Sequence, residues 1–433
     1  MKKNHPPGAQ AAVRLRLAKR PYRGKANTLD RRIGSELAKR LAHTNIVLVL
    51  WDGAEFGRTG EQGPRVKVQD RAGLFRLLLH PQTQLAELYT AGRVDIEGSL
   101  LDMLEQGART IYRNQTQRPW LNRLSRLSWG TPSERRSRRN IHHHYDLGND
   151  FYRLWLDNEG LQYTCAYYPH EEFTLEQAQL AKMDHVCRKL WLRPGESVVE
   201  AGCGWGGFAI FMAKRYGVNV RAFNISHEQV SYAREWAKRE KVADLVEFVE
   251  DDYRNINNRY DAFVSIGMLE HVGPGNYEQL GSVIDRSLKT DGRGLIHSIG
   301  RDRPAPLNRW IRKRIFPGAY PPTLREMSDI FEPSGLSVLD VENLRLHYAQ
   351  TLRDWLARYD RHEDTVLDMF DEEFVRAWRF YLAGSAASFL AGSVQLFQVV
   401  FARTGWNKLP MSRAPVYAND PIDQGRVRIR SVK

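Results

Sequence analysis

The stretch SVVEAGCGWGGF, Ser197–Phe208, decides which fold the sequence predicts. Two valines lead into Glu200, a cluster of glycines follows, and apolar residues with helical spacing begin at Phe208. This order is typical of a buried parallel strand, a tight turn and the start of a helix. Because Gly202 and Gly204 carry no Cβ, a flat ligand can lie against the turn and the helix N-terminus. A plain glycine-rich turn is the alternative, but Glu200 and the polar residues found downstream favour a ligand site.

Further apolar runs downstream of this turn predict strands, and each run ends in polar residues. The runs are VNVRAFNIS, LVEFVEDD, YDAFVSIGMLEHVG and GRGLIHSIG. The polar or aromatic residues at their ends are Asn224, Ser226, Gln229, Asp252, Tyr253, Glu270 and His297. Strands that alternate with helices predict a doubly wound α/β sheet, in which ligands bind at the carboxyl ends of the strands.

The positive charge of the chain is concentrated in two segments. The net charge is +13, and residues 1–44 hold 12 Lys or Arg against two acidic residues, while residues 118–139 hold seven Arg against one Glu. A basic arm and a basic linker beside a near-neutral body predict an anionic membrane surface as partner. We do not expect nucleic acid, because the arm lacks interleaved aromatic residues and no nucleic-acid module follows it. Solvated tails without a partner are the remaining alternative.

The length of 433 residues allows two domains. We expect a basic arm at 1–44, a small α/β domain at 45–117 that docks on lipid, a basic linker at 118–140 and a catalytic domain at 141–433. In the small domain, IVLVLWDG and PRVKVQD predict strands, and the apolar sequence after them predicts helices broken at Pro81 and Gly92.

The cysteine content and the lack of a signal peptide indicate a cytoplasmic protein. Three cysteines are too few for a disulfide framework, and the first 44 residues lack the apolar segment of a signal peptide. Phe380 to Ala402 is uncharged and long enough to span a bilayer, but its serines and glutamines predict a buried helix of the catalytic domain. His142, His143 and His144 have no partner with ligand spacing, so we predict no metal site.

Six stretches together resemble the cyclopropane-fatty-acyl-phospholipid synthases. They are SVVEAGCGWGG, HYDLGNDFY, QYTCAYY, SIGMLEHVG, HSIG and HYAQTLRDW, and LAELYTAGRVDIEGSLLDML is similar to the small N-terminal domain of the bacterial enzymes. The resemblance implies a class I methyltransferase fold, Rossmann-like and doubly wound, with S-adenosylmethionine as methylene donor. The implied substrate is a cis-unsaturated acyl chain of a membrane phospholipid. We also expect a homodimer that associates peripherally with the inner face of the membrane.

Glu200, Gly202 and Gly204 match the E/D-x-G-x-G turn of S-adenosylmethionine-dependent methyltransferases. An acidic residue usually holds the ribose hydroxyls at the end of the next strand, and this chain offers amide and hydroxyl groups there instead. Aromatic residues before the turn suit a lid over a cationic sulfonium, because aromatic faces attract cations. The predicted cofactor site comprises Tyr145, Tyr163, Glu200, Gly202, Gly204, Asn224, Ser226, Gln229, Asp252 and Tyr253.

The resemblance also implies a bound bicarbonate ion that acts as the base. An alkene has no proton to remove beforehand, so a base is needed only after the methyl group has been added. The residues that would hold the ion are Cys165, Glu270, His297, Ile299 through its backbone, and Tyr348. Each of these can instead be an ordinary core residue. Glu342 is a candidate to hold Tyr348 in position without contacting the ion itself.

The family often carries a cysteine where this chain has Ser385, so a mechanism with a nucleophile at that position cannot apply here. Two other classes of function stay open. One is a related methyltransferase that makes a methyl-branched lipid or an N-methylated product. The other is a lipid-binding protein without catalytic activity, which would not bind S-adenosylmethionine.

Overall fold

The computed structural model describes residues 24–57, 63–116, 147–408 and 410–417. These residues form two compact units, one from the described part of 1–99 with 372–377 and one from the described part of 100–371 and 378–433. Several predictions fall outside the described residues. They concern Tyr145, the histidines at 142–144, the first 23 residues of the basic arm and the basic linker at 118–140.

The first unit contains a mixed four-stranded sheet in the order β2-β1-β3-β4. Its strands are β1 Val47–Val49, β2 Glu55–Phe56, β3 Arg65–Val68 and β4 Val94–Glu97, and its helices are Thr28–Arg40, Arg71–Leu79 and Pro81–Thr90. The prediction of helices on both sides of Gly92 was wrong at β4. Gly92 adopts a left-handed φ of +67°, and the chain then returns so that Val94 pairs with Val68.

The helix Thr28–Arg40 corrects the expectation of a basic arm at 1–44. Asn27 and Asp30 form a capping box at its start, and Ile33 and Leu37 are buried. Asp30 also accepts a hydrogen bond of 2.8 Å from Arg71. The spacing of Ile33 and Leu37 places both on one helix face, so this part of the supposed arm is a packed element of the first unit.

The second unit contains a seven-stranded sheet in the order β10-β11-β9-β8-β5-β6-β7. Its strands are β5 Ser197–Ala201, β6 Asn219–Asn224, β7 Val246–Glu250, β8 Tyr260–Ile266, β9 Leu288–Gly300, β10 Leu336–Asn343 and β11 Gln395–Arg403. Strands β5 to β9 are parallel, and β11 lies antiparallel between β9 and β10. This arrangement confirms the predicted doubly wound sheet.

Helices cover both faces of this sheet. The α-helices after residue 99 are Leu100–Thr116, Asn149–Arg153, Leu175–Lys189, Gly207–Tyr216, His227–Arg239, Leu269–Val272, Tyr277–Ser287, Arg309–Arg314, Leu324–Phe331, Arg345–Arg361, Glu363–Met369, Ala414–Tyr417 and Glu372–Leu390, of which residues 372–377 belong to the first unit. Short 3-10 turns lie at Tyr253–Asn255, Pro274–Asn276 and Glu332–Ser334. Val198 belongs to one apolar core and Val199 to the other, because successive residues of a strand point to opposite faces.

The sequence predicted a single buried helix over the uncharged run from Phe380 to Ala402, and this prediction was wrong. The helix ends at Leu390, Gly392 takes a left-handed φ of +80°, and β11 begins at Gln395. The glycine lets the chain reverse direction, and the apolar residues after it are buried in the sheet. Among the described residues, no helix is long and apolar enough to cross a membrane.

Candidate active site

The predicted site residues lie where the order of the parallel strands reverses. Strand β6 continues from β5 on one side of the sheet, whereas β8 pairs with β5 on the other side. The loops after β5 and β8 therefore leave in opposite directions and open a crevice at the carboxyl ends of the strands. Glu200 is the second-to-last residue of β5, and Glu270 follows β8.

Gly204 is the glycine of the turn after β5 that faces open space. Its φ is +54°, and a Cβ at this position would meet nothing within 4 Å. A Cβ on Gly206 would instead lie 2.7 Å from Ala233, and one on Gly207 would lie 2.0 Å from the carbonyl oxygen of Gly160. Gly206 and Gly207 are thus required for packing, while Gly204 leaves room for a ligand. Gly202, predicted beside it, packs on protein instead, because its Cβ would lie 3.1 Å from Met268.

Glu200 and Lys182 are two titratable side chains buried near this turn. Burial raises the pKa of Glu200 to about 8, although the charge of Lys182 opposes the shift. Burial also lowers the pKa of Lys182 to about 8. In the described part of the chain, Glu200 Oε2 is buried and has no hydrogen-bond partner. Sequence reasoning missed Lys182, because its position in the helix Leu175–Lys189 does not distinguish it from surface lysines.

Asn224, Ser226 and Gln229 form a polar cluster at the end of β6. The Asn224 side-chain amide donates to the Gly204 carbonyl oxygen at 3.0 Å and to Gln229 Oε1 at 2.8 Å. Ser226 donates its backbone N–H to Asn224 Oδ1 and caps the helix that begins at His227. Gln229 Nε2 is buried without a partner among the residues that the structure describes. The structure thus joins these three predicted residues to the glycine turn.

Asp252 and Tyr253 follow β7, as predicted, but Asp252 is already paired. Its carboxylate accepts hydrogen bonds from the backbone N–H and the guanidinium of Arg254, both at 3.0 Å. Burial raises the pKa of Tyr253 to about 12, so its hydroxyl keeps its proton at neutral pH. Sequence reasoning did not identify Arg254.

Tyr163 lies in an aromatic cluster. Its hydroxyl is 2.8 Å from the hydroxyl of Tyr381. Its ring centroid is 5.2 Å from that of Trp155 and 5.4 Å from that of Trp355. The faces of such rings attract cations, which agrees with the aromatic environment that the sequence predicted.

Glu270 offers a carboxyl group in an apolar setting. The residue is 7% exposed, and Oε1 accepts the backbone N–H of Ile299 at 2.6 Å. Oε2 is buried and has no hydrogen-bond partner within the described ranges. Burial raises the pKa of Glu270 to about 7. The Ile299 N–H, expected to bind an anion directly, therefore fixes the position of the Glu270 carboxylate.

His297 lies on β9, whose end also carries Ile299. The residue is 1% exposed, and its Nδ1 is 3.1 Å from Nε2 of Gln398 on β11. Its own Nε2 is buried, again without a partner in the described chain. Burial, aided by the charge of Lys182, lowers the pKa of His297 well below its ordinary value, so the ring is neutral. A polar residue within the apolar run QLFQVVF was the signal that could have identified Gln398.

Cys165 and Tyr348 complete the residues that the resemblance assigned to the anion. The Cys165 Sγ is 3.1 Å from the Ala166 carbonyl oxygen, and burial raises the pKa of this thiol well above its ordinary value. The Tyr348 ring packs on Phe389 with centroids 4.6 Å apart. Cys165 is therefore a neutral thiol and not a reactive thiolate.

Glu342 makes hydrogen bonds to residues other than Tyr348, the partner that the sequence suggested. Its Oε2 is 2.8 Å from Nε2 of His185 and also accepts from Lys189, and its Oε1 accepts from Tyr417 at 2.9 Å. Burial alone would raise the pKa of Glu342, but the hydrogen bond from His185 and the charge of Lys189 lower it below its ordinary value. These bonds do not link Glu342 to Tyr348.

Comparison with known proteins identifies the family. The family model "Mycolic acid cyclopropane synthetase" matches residues 132–399. Cyclopropane-fatty-acyl-phospholipid synthase of Escherichia coli is 40% identical over 271 residues, 62% of this chain and 69% of that enzyme. A probable fatty acid methyltransferase of Pseudomonas putida is 33% identical over 393 residues, 87% of this chain and 97% of that protein.

A solved structure agrees with this assignment. A mycolic acid cyclopropane synthase crystallised with SAH and CTAB superposes with a TM-score of 0.58 at 30% identity, covering 61% of this chain and 97% of that one. The sheet of the second unit is accordingly that of a class I methyltransferase. The chain belongs to the mycolic acid cyclopropane synthetase family and is an S-adenosylmethionine-dependent methyltransferase.

Proposed function

We propose that the protein transfers a methylene group from S-adenosylmethionine to the cis double bond of an unsaturated phospholipid acyl chain and forms a cyclopropane ring. The observation that carries the proposal is a pair of buried polar atoms, Oε2 of Glu270 and Nε2 of His297, which have no partner among the described residues. Such atoms cost free energy unless a ligand satisfies them. Glu270 follows β8 and His297 lies on the neighbouring β9, whereas the glycine turn follows β5.

The proposed reaction places simple demands on the protein. An isolated alkene is a weak nucleophile, so the chain must align it with the methyl sulfonium and keep water away from the cation that forms. It needs no protein nucleophile. The neutral, buried thiol of Cys165 fits this requirement, and so does a serine at 385.

The residues of the glycine turn fit S-adenosylmethionine, which supplies the methyl group as a sulfonium. Gly204 leaves space for it, and the unpartnered Gln229 amide and Glu200 carboxyl offer polar contacts. Asn224 ties this turn to the end of β6. The aromatic rings around Tyr163 can stabilise the positive charge.

The residues around Glu270 fit a bicarbonate ion, which would supply the base that takes a proton from the added methyl group. His297 and Tyr348 can donate hydrogen bonds to an anion there. Glu270, with a pKa raised by burial to about 7, can hold a proton near neutral pH or accept one. Its carboxylate is kept in position by the Ile299 N–H.

A methyl-branched product is the second candidate. The relative from Pseudomonas putida that matches 87% of this chain is named a probable fatty acid methyltransferase. The two products differ in the fate of the alkene, because a cyclopropane contains no double bond.

The first prediction concerns the cofactor. Gly204→Ala should weaken S-adenosylmethionine binding by at least about tenfold, because the added Cβ enters the space of the ligand. Gly335→Ala is a matched control, since Gly335 also has a positive φ, +63°, and open space around its Cβ. Both variants carry similar backbone strain, and calorimetry should show lost affinity only for Gly204→Ala. Equal affinities in the two variants would contradict the assignment of the turn.

The second prediction concerns Glu270. Turnover should rise with pH through about 7, because Glu270 must be ionised before it can take over the proton that bicarbonate has accepted. Glu270→Gln keeps the shape but cannot ionise, so turnover should fall about 10²-fold or more and the pH dependence should disappear.

Glu278→Gln is the control for Glu270→Gln, because Glu278 is exposed on the helix Tyr277–Ser287. Rates should be measured at fixed bicarbonate, and calorimetry should show near-normal S-adenosylmethionine affinity in both variants. A Glu270→Gln enzyme with the turnover and pH profile of the natural protein would refute the role.

We propose further that the protein works at the inner, cytoplasmic face of a membrane and docks there through charge. The net charge is +13, and residues 1–23 carry seven Lys or Arg and no acidic residue. Each basic side chain near an anionic membrane contributes about 1 kcal/mol. Four of the six residues of the helix Arg309–Arg314 are also basic.

The third prediction follows from this charge. Sedimentation with liposomes should increase with anionic lipid and decrease with salt, because screening acts within about 8 Å at physiological ionic strength. Deleting residues 1–23 should weaken sedimentation while S-adenosylmethionine affinity stays unchanged. This deletion spares the packed helix Thr28–Arg40. Equal binding to neutral and anionic liposomes at every salt concentration would contradict the docking model.

A further inference from the structure

A row of polar side chains, buried at His297 and Gln398 and half-buried at Glu342, crosses three neighbouring strands. Glu342 on β10 lies opposite Gln398 on β11, and Gln398 lies opposite His297 on β9. Lys189, from the helix Leu175–Lys189, donates to Glu342 and to Oε1 of Gln398, the latter at 2.8 Å. Nε2 of Gln398 is 3.1 Å from Nδ1 of His297. The row thus connects an ion pair to one ring nitrogen of the histidine.

The ammonium group of Lys189 determines how the Gln398 amide is oriented. An ammonium has three donors and no acceptor, so the amide must turn its oxygen toward Lys189. The amide NH₂ then points at His297 and donates to Nδ1. Burial lowers the pKa of Lys189, but the carboxylate of Glu342 beside it opposes this shift and favours the charged ammonium.

A histidine whose Nδ1 accepts a hydrogen bond must carry its proton on Nε2 when the ring is neutral. His297 is neutral at physiological pH, because burial lowers its pKa and the charges of Lys182 and Lys189 act in the same direction. Its Nε2 is the atom that has no partner among the described residues. The donor of the ring is therefore the nitrogen that is left for a ligand.

We propose that Lys189, acting through Gln398, is a positioning residue that holds His297 in the tautomer with the proton on Nε2. In this tautomer His297 donates a hydrogen bond to an anion bound beside Glu270. In the other tautomer Nε2 would present a lone pair, which repels an anion. The binding of an anion by this N–H group rests on the proposed function, whereas the assignment of the tautomer does not.

The direct test is nuclear magnetic resonance of protein labelled with ¹⁵N-histidine, in which the ring signals of His297 are assigned by their loss in His297→Gln. In the natural protein, Nε2 should be protonated and Nδ1 should not. Gln398→Glu has nearly the same shape, but its carboxylate accepts from both neighbours, so Nδ1 of His297 should become protonated. A natural protein with the proton on Nδ1, or a Gln398→Glu variant with an unchanged spectrum, would overturn the proposal.

Two further variants separate positioning from folding. Gln395→Glu adds the same charge to β11 at a residue that bonds Gly392 and Asn343, and it should leave the His297 signals unchanged. Lys189→Met removes the group that orients the amide, so both tautomers of His297 should be populated. A single unchanged tautomer in Lys189→Met would contradict the proposed role of Lys189. Calorimetry with S-adenosylmethionine checks that each variant is folded.

A kinetic measurement then distinguishes this inference from the proposed function. In Gln398→Glu, the bicarbonate concentration for half-maximal turnover should rise by about tenfold or more, as expected for a lost hydrogen bond to a charged group. The KM for S-adenosylmethionine should stay the same. If the spectra change as predicted while turnover does not depend on bicarbonate, the tautomer assignment stands and the proposed bicarbonate function fails.

Discussion

The divergence of the seven-stranded sheet at β5 is the constraint on which the rest of the site depends. Because β6 continues on one side and β8 on the other, the loops at the ends of β5 and β8 separate and leave a crevice. Gly204 and Asn224 lie on the β6 side, and Glu270 and His297 lie on the β8 side. In the proposed reaction, the β6 side of the sheet would hold the methyl donor and the β8 side the proton acceptor.

Burial then sets the charges within this cleft. It raises the pKa of Glu200 to about 8 and of Glu270 to about 7, and it lowers the pKa of His297 well below its ordinary value. These groups are consequently neutral, or close to a change of charge, at physiological pH. A site of this kind can stabilise a cation formed on an alkene without offering it a strong nucleophile, while still accepting a proton afterwards.

The sequence was sufficient to predict the residues at the strand ends. Glu200, Asn224, Glu270 and His297 follow or end apolar runs, and in parallel strands such positions meet at one edge of the sheet. The change from helix to strand near Gly392 was not predicted, since an uncharged run is compatible with either structure.

Other features depend on pairing between distant segments. Lys182 and Gln398 lie near the site only because a helix and a strand pack beside it. No local sequence pattern indicates this packing. The same holds for the packed helix Thr28–Arg40, whose basic residues suggested an arm. The lipid surface, the homodimer and the bicarbonate ion stay predictions, because they concern partners and not the folding of this chain.

Labelled S-adenosylmethionine with a CD₃ methyl group gives the most direct test of the central claim, which is that a base removes a proton from the added methyl group and a ring closes. The purified protein would be incubated with vesicles of cis-unsaturated phospholipid, and the product fatty acids analysed by mass spectrometry and hydrogenation. We predict a product that retains two of the three deuterium atoms and contains no double bond. A product that retains all three, or one in which the double bond survives, would contradict the account.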